Sequence, residues 1–146
     1  MVQRHGLYHG VEVFVEIDMP GHTGSIQHSH PELITAYNAR PWSTFAQEPP
    51  AGQLKLNSPE VHSLVRTLLK DLIPRIVPYT SIFHIGGDEI NKECYRLDDT
   101  VRSADKAVIK PHLQSFMVSI YVSLGLMIPS SVEIAKPKHF SDNVTL

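Results

Sequence analysis

Val11-Glu12-Val13-Phe14-Val15-Glu16-Ile17-Asp18 alternates in side-chain character and runs directly into Met19-Pro20-Gly21-His22. Val11, Val13, Val15 and Ile17 share one face, while Glu12, Phe14, Glu16 and Asp18 share the other. β-Branched residues dominate and Pro20-Gly21 closes the run, so the pattern predicts a strand over 11–18. The second face gathers acids toward its C-terminal end. A strand in a plain sandwich has no use for them there.

Working downstream, residues 22–57 show little periodicity and are punctuated by Pro41, Pro49, Pro50 and Gly52. An irregular stretch of that length is uncommon inside a compact domain. Trp42, Phe45 and Leu54 argue that it is ordered, either as a folded surface excursion or as a binding loop. Ser58-Pro59-Glu60 then reads as a helix start: a capping serine, proline at the first helical position, an acid in the first turn. Val61, Leu64, Val65, Leu68, Leu69 and Leu72 form its apolar stripe, and Pro74 is expected to end it. Ser81-Ile82-Phe83-His84-Ile85 predicts a short second strand that stops at Gly86-Gly87-Asp88-Glu89. A second amphipathic helix is expected from about Lys110 to Leu124, with Gly125 as its C-terminal cap. Leu126-Met127-Ile128 predicts a third strand, weakened by Pro129. Strands alternating with helices imply βαβ units and a parallel sheet, an α/β fold whose functional loops follow the strand C-termini.

The composition narrows the function. With 146 residues, 42% hydrophobic and 19% charged, the chain has the material for one domain with a real core. Thirteen basic against fifteen acidic residues give a formal charge of −2, no footprint for a nucleic-acid backbone. The single cysteine excludes an intrachain disulfide framework and a cysteine-rich zinc site. No apolar run approaches the ~20 residues that a membrane-spanning helix requires. The first residues, Met1-Val2-Gln3-Arg4-His5, do not read as a secretory signal peptide.

Both clusters with chemical character, Asp18…His22 and His84…Glu89, lie just after strands. In Gly86-Gly87-Asp88-Glu89 the glycines permit a sharp turn and close approach of a ligand. The adjacent carboxylates repel one another and suit different environments, one protonated as an acid and one ionised. The same residues also read as a glycine turn with two solvated acids. His22 reads as an ordinary loop histidine or as the hydrogen-bond partner of a carboxylate across the sheet. His28-Ser29-His30 lacks the spacing of a zinc motif, so no metal is expected. A phosphate cradle at Gly86-Gly87 is disfavoured by its acids.

Two stretches, Val15-Glu16-Ile17-Asp18-Met19-Pro20-Gly21-His22 and His84-Ile85-Gly86-Gly87-Asp88-Glu89-Ile90-Asn91, resemble the signatures of family-twenty glycoside hydrolases, the β-N-acetylhexosaminidases. Phe45-Ala46-Gln47-Glu48-Pro49-Pro50-Ala51-Gly52-Gln53-Leu54 is similar to their intervening loop, most of all in fungal members. The resemblance covers about residues 9 to 126. It implies a TIM barrel, of which this sequence matches about three βα units, roughly the third to the fifth strand. It also implies retaining, substrate-assisted hydrolysis of terminal N-acetyl-β-hexosamine, without a protein nucleophile and without a cofactor. On this likeness Glu89 is the general acid/base, Asp88 orients the 2-acetamido group, and His22 hydrogen-bonds the acid, supported by Asp18 and His84. Gly86, Gly87 and Trp42 fall on the loops expected to face the sugar.

The sequence departs from the family at the fifth strand. Where relatives end the fifth strand in tryptophan followed by acids, this chain has Pro129-Ser130-Ser131-Val132-Glu133. The expected organisation is a partial catalytic barrel over 1–134 and a divergent tail over 135–146. N-Acetylhexosamine-terminated oligosaccharides are the expected partners, with self-association through open sheet edges. The likeness places the parent protein outside the cell or in lysosomes. A non-catalytic, lectin-like N-acetylglucosamine binder built on the same scaffold is the alternative.

Overall fold

A computed structural model describes residues 2–87 and 89–123. Helix α1 (Val2–Tyr8) is followed by β1 (Val15–Glu16), β2 (Ile34–Thr35), α2 (Trp42–Phe45), β3 (Gln53–Leu54), α3 (Pro59–Ile76), β4 (Phe83–His84) and α4 (Lys106–Ser123). Three 3-10 turns, Gly24–His28, Pro31–Leu33 and Lys92–Arg96, fill the connections. β1 and β4 pair in parallel, Val15 opposite Phe83 and Glu16 opposite His84. The ladder continues past the strands, because the Ile17 N–H donates to the His84 carbonyl and the Met19 N–H to that of Ile85. The parallel βαβ arrangement expected from the sequence is therefore present, and among the described residues its sheet is not closed.

The alternation along β1 sorts the side chains as the pattern requires. Ile17 packs against the core with Phe83 and Ile85, while Glu16 and His84 stand on the exposed face. The core beneath is helical: Val61, Val65 and Leu69 of α3 meet Leu113, Phe116, Met117 and Ile120 of α4, all nearly or fully buried. Such side chains contribute roughly 1.5–3 kcal/mol each on burial. His62 closes this seam, its ring edge-on to Phe116 at 5.9 Å between centroids.

Several boundaries differ from expectation. The first strand is regular only over Val15–Glu16; Val11 turns back to donate its N–H to the Gly6 carbonyl of α1, a helix the sequence did not announce. The second strand is likewise reduced to Phe83–His84. Pro74 does not end α3, which continues to Ile76. Proline deprives a helix of one N–H and crowds one preceding carbonyl, which the last turn of α3 accommodates. Arg75 also bridges that turn, donating to the Asp71 carbonyl and carboxylate. Helix α4 begins at Lys106 rather than Lys110, because the Asp105 carboxylate accepts the Ala107 N–H and starts it four residues earlier. The stretch 22–57 is not irregular throughout: β2 and β3 form an antiparallel pair, Ile34 opposite Leu54 and Thr35 opposite Gln53, all four buried. The proposed third strand at 126–128, the Gly125 cap and the tail 135–146 lie outside the described residues.

Candidate active site

The loop that leaves β1 turns sharply. Thr23 donates its hydroxyl to the Pro20 carbonyl, and His22 adopts a left-handed backbone with φ +53°. For a residue with a side chain that conformation is uncommon, and such strain concentrates at functional sites. It carries the imidazole across to the loop after β4, where His22 Nε2 lies 2.7 Å from Glu89 Oε2. The histidine tautomer sets which of the two groups donates in that hydrogen bond. Asp18 stands on the other side, its Oδ2 3.8 Å from His22 Nε2.

Asp18 also shapes the opposite loop. Its Oδ1 accepts the Gly87 N–H at 2.7 Å. Gly86 and Gly87 both have positive φ, +63° and +94°. A Cβ built on Gly86 would fall on the Asp18 carboxylate. Glycine there is a packing requirement as well as a conformational one. Gly21 meets the loop from the first strand's side, since a Cβ on it would lie 2.6 Å from the Glu89 carbonyl oxygen.

Glu89 and His22 open onto a shallow cleft, walled on its far side by Phe45, Gln47, Pro50 and Gln53. The stretch 22–57 is thus both an ordered excursion and the wall of this cleft. Four hydrogen bonds tie the wall to the loop that bears Glu89. Asn91 Nδ2 donates to the Thr44 carbonyl, Cys94 Sγ donates to that of Phe45, and the Gln53 side chain pairs with the Asn91 peptide. Burial pushes the Cys94 thiol up to about 12, so it acts as a donor and not as a thiolate.

The expected site residues divide accordingly. Asp18, His22, Gly86, Gly87 and Glu89 come together, whereas Asp88 lies outside the described residues. His84 stands one step down the sheet, Nδ1 3.2 Å from Glu16 Oε1, and accepts the Gly86 N–H. Trp42 does not line the cleft; its indole N–H donates to Asn38 and the Arg40 guanidinium lies 4.8 Å above its ring. Gln53 and Asn91 were not singled out by the sequence reading. Both lie inside stretches quoted above for their likeness to the family, which is the available signal. Among the described residues no three His, Cys, Asp or Glu side chains are placed so that they could hold a metal ion.

A model of the family described as glycosyl hydrolase family 20, catalytic domain, matches residues 1–124. The chain belongs to glycosyl hydrolase family 20. A beta-hexosaminidase of Arthroderma benhamiae is 46% identical over 123 residues, 84% of this chain and 20% of that protein. A chitooligosaccharidolytic beta-N-acetylglucosaminidase of Ostrinia furnacalis is 33% identical over 102 residues, 70% of this chain and 17% of its own. A probable beta-hexosaminidase of Drosophila melanogaster is 36% identical over 92 residues. The chain spans about a fifth or less of the length of these curated relatives. The glycosyl hydrolase family 20 match covers β1, β4 and both loops that meet at His22 and Glu89.

Proposed function

We propose that the chain carries the acid-bearing part of a β-N-acetylhexosaminidase site, in which β1 and β4 are neighbouring strands of a TIM barrel. The observation that carries this reading is the 2.7 Å approach of His22 Nε2 to Glu89 Oε2, at the C-terminal ends of two parallel strands and facing a cleft. Barrel enzymes place their chemistry at that end.

In the proposed reaction Glu89 gives its proton to the glycosidic oxygen as the bond to the anomeric carbon breaks. The oxygen of the substrate's 2-acetamido group attacks that carbon from the other side, forming an oxazolinium ring with overall positive charge. Asp88 orients the acetamido nitrogen and offsets that charge. Glu89, now a carboxylate held by His22, takes a proton from water as the water's oxygen attacks the same carbon. The ring opens, the acetamido group is restored, and the configuration is retained. No cofactor enters.

The substrates are glycans and chitooligosaccharides ending in N-acetyl-β-hexosamine, and the parent protein acts outside the cell or in lysosomes. Hydrolysis of nitrophenyl and methylumbelliferyl N-acetylglucosaminides by the chain, beside an Asp88→Ala/Glu89→Ala control, tests the reading. Turnover that survives in the control would reject it.

A further inference from the structure

Gln53 is buried, 4% exposed, at the start of β3. Its backbone belongs to the ladder with Thr35, which leaves the side chain free to serve another element. That side chain spends both of its polar ends on the backbone of one residue. Gln53 Nε2 donates to the Asn91 carbonyl at 2.8 Å, and Gln53 Oε1 accepts the Asn91 N–H at 2.8 Å. A side-chain amide paired in this way copies one rung of a β-ladder and fixes distance and orientation together. Asn91 stands two residues beyond Glu89. On the other flank, Gly21 packs directly against the Glu89 carbonyl. The segment bearing the acid is therefore held from both sides, by Gly21 against Glu89 itself and by Gln53 against Asn91.

We propose that Gln53 is a positioning residue for Glu89: by clamping the Asn91 peptide it sets the height at which the Glu89 carboxylate meets His22. The proposal rests on the catalytic reading only for its effect on rate. The pairing of Glu89 with His22 is a matter of geometry whether or not the chain turns over. Removing the clamp leaves the part-buried Asn91 N–H unpaired and its carbonyl with the Cys94 N–H alone, which favours a shifted loop that reaches water. The His22 ring would then lose its partner without either His22 or Glu89 having been changed.

Imidazole ¹H–¹⁵N spectra of the labelled 146-residue chain test this in the wild type and in the Glu89→Gln, Gln53→Ala, Gln53→Met and Gln53→Glu variants. Glu89→Gln marks how far the His22 ring signals move when the carboxyl partner is lost. Gln53→Ala and the volume-conserving Gln53→Met are expected to move them in the same direction by at least half as much, with the His62 ring unmoved. Gln53→Glu retains an acceptor for the Asn91 N–H and is expected to fall between wild type and Gln53→Met. His22 signals that stay in place while the Asn91 amide becomes exchangeable would overturn the proposal. Unfolding of both Gln53→Ala and Gln53→Met would also overturn it, assigning Gln53 to stability alone. Where the chain hydrolyses substrate, Gln53→Met should lower kcat by up to about 10²-fold, the scale of a 1 Å misplacement, with little change in KM. Turnover that survives in the Asp88→Ala/Glu89→Ala control would reject the function proposed above and leave the imidazole signals to decide this one.

Discussion

The carboxylate of Asp18 occupies the space that a side chain at Gly86 would need, and uses it to accept the N–H of Gly87. The chain leaving β1 thereby dictates the shape of the loop after β4. Gly86→Ala should break this arrangement twice, by the positive φ and by the overlap. The backbone part alone costs about 1–2 kcal/mol. Thermal melting should show the loss, and the Gly87 amide should lose its exchange protection. A Gly86→Ala chain that melts and exchanges like wild type would show that the loop has another way to close.

Glu89→Gln should remove proton donation to the leaving group and leave the fold intact. General acid–base help is typically worth about 10²–10⁴-fold. Nitrophenol departs almost unaided, so the loss should be small for nitrophenyl glycosides and large for chitobiose. Equal losses on the two substrates would count against Glu89 as the acid.

Asp88→Asn keeps the shape and removes the charge facing the proposed oxazolinium. Turnover should fall more than sugar binding does. A thiazoline inhibitor, which mimics that ring, should lose affinity in step with the rate. Should ground-state binding fall as far as the rate while the inhibitor binds unchanged, Asp88 has a different task.

Ser58 caps α3 with its hydroxyl, accepting the Val61 N–H and donating to the Glu60 carboxylate. Ser58→Ala should cost about 1 kcal/mol, read from denaturant midpoints. The Ser58 hydrogen bond holds the Glu60 carboxyl below its ordinary 4.5. A depressed carboxyl contributes stability above its unfolded pKa and loses it as pH falls through the folded value. The difference between wild type and Ser58→Ala should therefore shrink below about pH 4.5. A difference that is constant down to pH 3 would remove Glu60 from the cap.

Cys94 should resist thiol reagents at pH 8 until the chain unfolds, since burial raises its thiol from 9.0 to about 12. Above the unfolded value the denatured chain gives up this proton and the native chain keeps it. Stability should accordingly decline as pH rises from about 9 toward 12. Labelling of Cys94 faster than global unfolding, followed by mass spectrometry, would show that it is reached through local opening.

The parts of the fold legible in the sequence are those whose signal is local and repeated. Val15 to Asp18 alternates because one face of the sheet meets α3 and α4, and the stripe of α3 marks the other side of that contact. Asp18, His22 and Glu89 were readable because each follows a strand in a parallel sheet. The antiparallel pair was hidden for the opposite reason. Ile34-Thr35 and Gln53-Leu54 are two residues each, too short for any period, and the Leu54 N–H is satisfied by Pro20 far upstream. Gln53 escaped notice because its partner is a backbone peptide 38 positions away, which no pattern of side chains records. Proline misled at Pro74, where only the last turn of the helix had to absorb it.

The bonds from Thr44, Phe45 and Gln53 to the segment 91–94 bear on how a site of this kind is re-engineered. Residues 44–53 form the cleft wall against which specificity would ordinarily be varied, by swapping the loop for that of a relative. Here the wall and the base of the loop that bears Glu89 are bonded into one module. A graft of 44–53 alone strands the Asn91 peptide and the Cys94 thiol among foreign neighbours, whereas a graft that carries 44–53 together with 89–94 transplants the contacts intact. Chimeras that change what the cleft admits without disturbing the acid should therefore be cut at two places in the chain.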